Sequence, residues 1–367
     1  MQYKRYDNFV LGGALCVLLT IAIFNYWMDP GNIFGNDVLV KTCGGWLLEG
    51  HDVAITQNYD ERLLQKYLIE HDTEKYDVLI FGSSRTMDIG KNLFPERAVK
   101  NYSVSGASIE DDIALYFLYE RIHGKPQKVI IGADAWLLNA NSGQSRWKSV
   151  AKEYAYGKGR MTKTEKSADS KNFDFEKYTQ LLSWPYLKES IKKLEKGKTS
   201  KDEPGYCLAD DKAAVVKNAG IICPDGTHIP SIEAQGRDAE PLARKYIAGN
   251  VYSLENYDEV DAGLQSQIRE FISYLKSHEI EIVLYLTPYH PTVYSYLLQN
   301  EKYHNIVAAE LFFQTLASEY GIRVVAFYDP EKCGLSNEDF WDGMHMRKAA
   351  VERVFIAEQS DHKYGHI

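Results

Sequence analysis

Short, continuously apolar runs recur along this chain, each cut off by a glycine or a small polar cluster. Residues 77–81 carry Val78-Leu79-Ile80-Phe81 and stop at Gly82-Ser83-Ser84; similar runs lie at 98–104, 128–132, 280–286 and 323–328. Runs this short fit strands buried on both faces, as in a parallel sheet. Between them, residues 58–71, 109–123, 260–277, 305–320 and 346–358 place apolar side chains at helical spacing, Leu63, Leu64, Tyr67 and Leu68 in the first case. The alternation predicts an α/β fold, a parallel five-stranded sheet with helices on both faces. It is interrupted over about residues 139–257, where Lys, Ser, Gly and Asn are common and one helix is expected at about 173–194. An insertion there, after the third strand, sits beside the carboxyl edge of the sheet, where α/β proteins bind ligands. It reads either as a lid or docking element or as an irregular decoration.

The amino terminus has a different pattern. Residues 9–28 hold no charge, Lys4 and Arg5 precede them, and Asp29-Pro30-Gly31 follows. That length matches the ~20 residues a helix needs to cross a bilayer. The flanking cations favour an amino terminus in the cytoplasm and an extracytoplasmic remainder. A cleaved signal peptide is the second reading, but its apolar region usually spans only ~7–15 residues. Cys16 follows Leu15, not the small residue of a lipoprotein cleavage site. The division expected is residues 1–30 as cytoplasmic tip and single-pass anchor, and 31–367 as one domain with the insertion.

At 367 residues the chain can bury a full core, and its net charge of −9 argues against a nucleic-acid partner. Within the insertion, residues 146–198 run the other way, with about 14 basic and about 7 acidic side chains. Four cysteines lie beyond the apolar run: Cys43, Cys207, Cys223 and Cys333. In an oxidising compartment they permit two disulfides, and Cys207 with Cys223, flanking a loop-like stretch, is one candidate pair. None has the spacing of a zinc site, so no metal is expected.

The candidate chemistry sits in two short segments, 78–90 and 339–350. A buried strand that stops at Gly82-Ser83-Ser84 presents a small nucleophile at the sheet's carboxyl edge. Far downstream, Asp342 and His345 stand three residues apart before a helix. At that spacing a carboxylate can hold imidazole Nδ1–H and leave Nε2 to take a serine proton. The bland readings are a turn at Gly-Ser-Ser and a helix-capping pair at Asp342 and His345. Arg85 is a candidate for binding an anionic substrate group or for a structural ion pair. His290, after the fourth strand, is a candidate pocket residue or a surface histidine. The 26 tyrosines suit carbohydrate stacking and equally suit ordinary packing.

Together these segments resemble the SGNH (GDSL-like) hydrolase superfamily, in particular the membrane-anchored branch that includes the alginate O-acetylation proteins and the D-alanine transfer protein of the teichoic acid pathway. The resemblance covers about residues 77–134 and 280–358 plus the anchor. It implies a three-layer α/β/α, flavodoxin-like domain. In the first block Gly82-Ser83-Ser84 stands for Gly-Asp-Ser, which implies Ser84 as nucleophile; the second-block glycine maps to Gly106, and the final Asp-x-x-His to Asp342 and His345. The third block departs: Gly132-Ala133-Asp134-Ala135 replaces Gly-x-Asn-Asp, whose asparagine donates to the oxyanion. An ionised Asp134 would repel that oxyanion. Asp134 is therefore protonated, or has another role, or the hole rests on the backbone N–H groups of Ser84 and Gly106.

The function implied is serine-dependent acyl transfer or ester hydrolysis on a cell-surface polysaccharide or wall polymer, with no cofactor. The alternatives are a non-catalytic glycan-binding domain and an accessory subunit docked on a multi-span membrane-bound O-acyltransferase.

Overall fold

The computed structural model describes residues 2–29, 36–162, 178–195, 205–209 and 219–364. Their strands are β1 (Val53–Ile55), β2 (Val78–Phe81), β3 (Val99–Asn101), β4 (Lys128–Gly132), β5 (Tyr206–Leu208), β6 (Gly220–Ile222), β7 (His228–Ile229), β8 (Glu281–Tyr285) and β9 (Arg323–Val325). Five of them form a sheet in the order β3-β2-β4-β8-β9, with every pair parallel. With twelve α-helices among the described residues, the protein is mixed α/β.

The central strands β2, β4 and β8 are mainly apolar because both their sides are covered. Leu79, Phe81, Val129, Ile131 and Leu284 join one hydrophobic cluster with the helices Ile109–His123, Ala262–Ser277 and Asn305–Tyr320. Their sequence neighbours Val78, Ile80, Ile130, Val283 and Tyr285 join a second cluster with Val351 and Phe355 of the helix Lys348–Tyr364. The period-two alternation of a strand is thus apolar at both phases. Side chains set the helix starts. Asp60 accepts from Arg62 N–H at 2.9 Å ahead of Glu61–His71, and Asp261 accepts from Leu264 N–H at 2.8 Å ahead of Ala262–Ser277.

A second sheet, β5-β1-β6-β7, is antiparallel throughout. It overturns the Cys207–Cys223 pairing. Cys207 lies opposite Ala54 on one side of β1, while Cys223 follows β6 on the other side. Two strand spacings of about 4.8 Å separate them, beyond the about 7 Å between Cα atoms that a disulfide tolerates. The two are not joined.

Gln2–Met28 is one helix, and its stretch Val10–Met28, 19 residues of mean hydropathy 1.9, is long and apolar enough to cross a membrane. The helix expected at about 173–194 lies partly outside the described residues. The described part is a 3-10 turn, Gln180–Leu182, and the helix Trp184–Glu195.

Candidate active site

Parallel strands gather at one edge the segments read as functional: Ser84 follows β2, Gly106 follows β3, Asp134 follows β4, His290 follows β8, and Asp342 and His345 follow β9. Two glycines make the close approaches possible. Gly82 has φ +140, and a Cβ there would lie 3.0 Å from the Cα of Gly132. Gly106 has φ +55, and a Cβ there would collide with the Arg146 guanidinium and the Tyr252 hydroxyl.

After Gly82 the chain makes a 3-10 turn, Ser84–Thr86, capped by Ser83, whose Oγ accepts from Arg85 N–H at 3.2 Å. Thr86 Oγ1 donates to Ser83 O at 2.7 Å, fixing the turn from inside. Ser83 is buried and Ser84 is not fully so, which leaves its hydroxyl at the surface of the edge. Ser84 Oγ lies 2.8 Å from His345 Nε2, and His345 Nδ1 lies 2.7 Å from Asp342 Oδ2. The other carboxylate oxygen, Asp342 Oδ1, accepts from the N–H groups of Met344 and His345, each at 2.8 Å. Burial alone would raise the Asp342 pKa. The His345 hydrogen bond and charge, with those two N–H donors, outweigh it and hold Asp342 below the ordinary carboxylate value. An ionised Asp342 fixes Nδ1 as the protonated nitrogen and leaves the Nε2 lone pair facing Ser84. Trp341 stacks on the imidazole, with centroids 4.8 Å apart and rings 16° from parallel.

Arg85 belongs to the framework, not to a substrate surface. Buried, it donates from Nε to Met344 O (3.0 Å), from Nη1 to Asp134 Oδ1 (3.0 Å), and from Nη2 to Thr287 O (2.7 Å) and Pro288 O (2.5 Å). Its guanidinium also covers Tyr289, 4.1 Å from the ring centroid. One side chain therefore ties the ends of β2, β4 and β8 to the loop that carries His345. Asp134 is its counterion, and Asp134 Oδ1 also accepts from Thr287 Oγ1 at 2.6 Å. The aspartate in the third block thus matches the arginine in the first. Its remaining oxygen, Oδ2, is buried with no hydrogen-bond partner among the described residues.

His290 is likewise absent from the pocket. It is fully buried and caps the helix Pro291–Gln299, its Nδ1 accepting from Thr292 N–H at 3.2 Å. Burial lowers its pKa, against the pull of Glu240. A polar residue immediately before a proline at a helix start is the signal that gives this away.

The Gly106 loop is held from behind. Arg62 donates to Ser105 O at 3.1 Å and to Gly106 O at 3.3 Å, and it pairs with Asp111 through two 2.9 Å bonds. Glu61 accepts from both the N–H and the Oγ of Ser105. In a trans peptide the C=O and the next N–H point opposite ways, so fixing Ser105 O turns Gly106 N–H away from Arg62. Neither that N–H nor the N–H of Ser84 has a hydrogen-bond partner among the described residues.

The insertion borders the site on two sides. Arg146 and Tyr252, joined by a 2.8 Å hydrogen bond, lie against Gly106. Tyr246 packs on Gly343, and a cleft of about 410 Å³ opens beside Asp342, lined by Arg237, Leu242, Lys245, Tyr246, Trp341 and Met344. Asp88, four residues beyond Ser84, is pushed up to about 6 by burial, with His345 and Lys348 pulling the other way. Sequence reasoning missed Arg62, Asp88, Trp341 and Tyr246. Only Trp341, an aromatic directly before Asp342, carried a local signal.

No protein-family model matches this chain, and no curated protein matches it.

Proposed function

We propose that the protein is an SGNH-type serine acyltransferase or esterase, with Ser84 as nucleophile, His345 as general base and acid, and Asp342 orienting the imidazole. The observation that carries this reading is the unbroken pair of short contacts, Ser84 Oγ to His345 Nε2 at 2.8 Å and His345 Nδ1 to Asp342 Oδ2 at 2.7 Å. The sheet order supports it too: counted along the chain, the five parallel strands lie 2-1-3-4-5, the order of flavodoxin-like three-layer folds.

In the first half-reaction His345 Nε2 takes the Ser84 proton as Oγ attacks an ester carbonyl. The C–O bond to the leaving alcohol breaks, and the imidazolium returns the proton to that alcohol. In the second, a water or a sugar hydroxyl is deprotonated by His345 and attacks the serine ester, restoring Ser84. The unpartnered N–H groups of Ser84 and Gly106 serve as the oxyanion donors, so Asp134 is not needed there. We place the chain as a single-pass protein anchored by residues 9–28, amino terminus in the cytoplasm and domain outside. Its acyl acceptor or donor is a cell-surface polysaccharide or wall polymer, with a multi-span O-acyltransferase as partner.

A fluorophosphonate probe tests the chemistry. Full-length protein should be labelled at Ser84, and Ser84→Ala should lose both the label and ester turnover; in a well-measured serine triad, losing the nucleophile costs roughly 10⁶ in kcat. The fold should survive, since a partly exposed hydroxyl adds little packing. An unlabelled wild-type chain that still binds glycan would replace catalysis with the glycan-binding reading.

A further inference from the structure

The helix Trp184–Glu195 leaves much of its apolar surface uncovered. Trp184, Leu187, Ile191 and Leu194 fall at i, i+3, i+7 and i+10, which is one stripe along a helix. Trp184, Ile191 and Leu194 are exposed, and so is Leu182 just before the helix. The neighbouring face is occupied. Tyr186 donates its hydroxyl to Asp29 Oδ1 at 2.6 Å, and Lys193 Nζ donates to Met28 O at 2.7 Å, so the helix lies against the end of Gln2–Met28. On the other side of the stripe come Lys188 and Lys192, both exposed.

Depth is fixed by one hydrogen bond. Asn25 Nδ2 donates to Leu181 O at 2.8 Å, and both residues are buried in this contact. Asn25 precedes Met28 by three residues, about 4.5 Å along a helix axis. Leu181 and Leu182 therefore sit level with the last turn of the apolar helix, beside the exposed Tyr26 and Trp27. The medium that surrounds that turn surrounds Leu182 as well.

We propose that Trp184–Glu195 is an in-plane membrane helix, its apolar stripe in the boundary between lipid headgroups and acyl chains and its lysines among the headgroups. A tryptophan at one end, leucine and isoleucine along one stripe and lysines beside it are the composition that binds such a boundary. Continuity with the apolar helix selects lipid as the occupant. The proposal rests on residues 9–28 spanning the membrane and is independent of the chemistry at Ser84. Its consequence is a second lipid contact, which fixes the tilt of the domain above the bilayer, as one span alone does not.

The test uses the full chain in vesicles of phosphatidylethanolamine and phosphatidylglycerol, and again in native membranes. A benzophenone amino acid replaces Leu18, Leu182, Ile191, Leu194 or Glu96, one position at a time, and the sample is irradiated. Lipid adducts at Leu18, Leu182, Ile191 and Leu194, with none at the exposed Glu96, are expected. Adducts at Leu18 but none at Ile191 and Leu194 overturn the in-plane helix. Protein adducts at Ile191 and Leu194 in native membranes, without lipid, assign the stripe to a protein partner and also overturn it. No adduct at Leu18 removes the span and this proposal together. None of these outcomes bears on fluorophosphonate labelling of Ser84, so the two readings fail separately.

Discussion

The parallel sheet and the smaller antiparallel sheet differ in where their strands come from and in how fully they are covered. In the first, β2, β4 and β8 are buried along nearly their whole length, and each is announced by its own run of apolar residues. In the second, β5 is half-buried at every position and β6 is buried only at Ile222. Its central strand, β1, draws both its neighbours from the insertion about 150 residues downstream (Ala54 opposite Cys207 and Ile221). The residues of the proposed triad stand at the edge of the buried sheet; the half-covered one contributes none of them and braces the insertion. Well-covered strands give a site the rigid support that holding side chains to within about 0.5 Å demands, and the half-covered sheet offers less of it.

The sharpest way to break this contrast is at Asp134. Asp134→Asn would put an amide donor at this position, and if Asp134 lined the proposed oxyanion hole, ester cleavage should accelerate. Its place opposite Arg85, with both side chains at most 2% exposed, gives the contrary expectation. The variant should lose about 3–5 kcal/mol, the usual cost of breaking a buried pair, with no gain in rate. Urea unfolding and ester turnover on the same sample decide between the two.

Core truncation measures the contrast directly. Ile130→Ala, at the centre of the parallel sheet, should cost about 2–5 kcal/mol, whereas Ile221→Ala in the half-covered sheet should cost about 1 kcal/mol or less. Equal losses in denaturant midpoints would mean that the small sheet is as much a part of the core as the large one.

The smallest effect expected is at Asp88. Burial raises its folded pKa to about 6, so the ionised form opposes folding, and stability falls as pH rises from the unfolded value of about 4 through about 6. Asp88→Asn carries no such charge, and between pH 5 and pH 8 its urea midpoint should fall less than that of the wild type, a difference of about 1 kcal/mol. Midpoints that run parallel across that range would remove burial as the control on Asp88.

Much of the large sheet was legible in the sequence because its signals are local. The runs at 128–132 and 305–320 coincide with β4 and with Asn305–Tyr320, and Ser84, Asp342 and His345 stand together. What could not be read is what depends on distant partners. Arg62 looks like any polar residue of an amphipathic helix until Asp111 and the carbonyls of Ser105 and Gly106 surround it, some 45 residues later. The cysteines invited a pairing across a loop, and a strand from before the parallel sheet separates them instead. Asp134 looked like a defect in a donor position when judged alone, and becomes an ordinary counterion once Arg85 is placed beside it.

The Arg85 network also has a consequence for the order of events in folding. Its acceptors lie 49, 202, 203 and 259 residues away along the chain, and Ser84 waits for a base 261 residues downstream. Closing such long loops is slow, and no local stretch can substitute for them. A chain that emerges amino terminus first therefore carries Ser84 without its base until the segment around His345 has been made. The proposed triad is thus assembled in one late step, when the loop that carries His345 reaches the sheet.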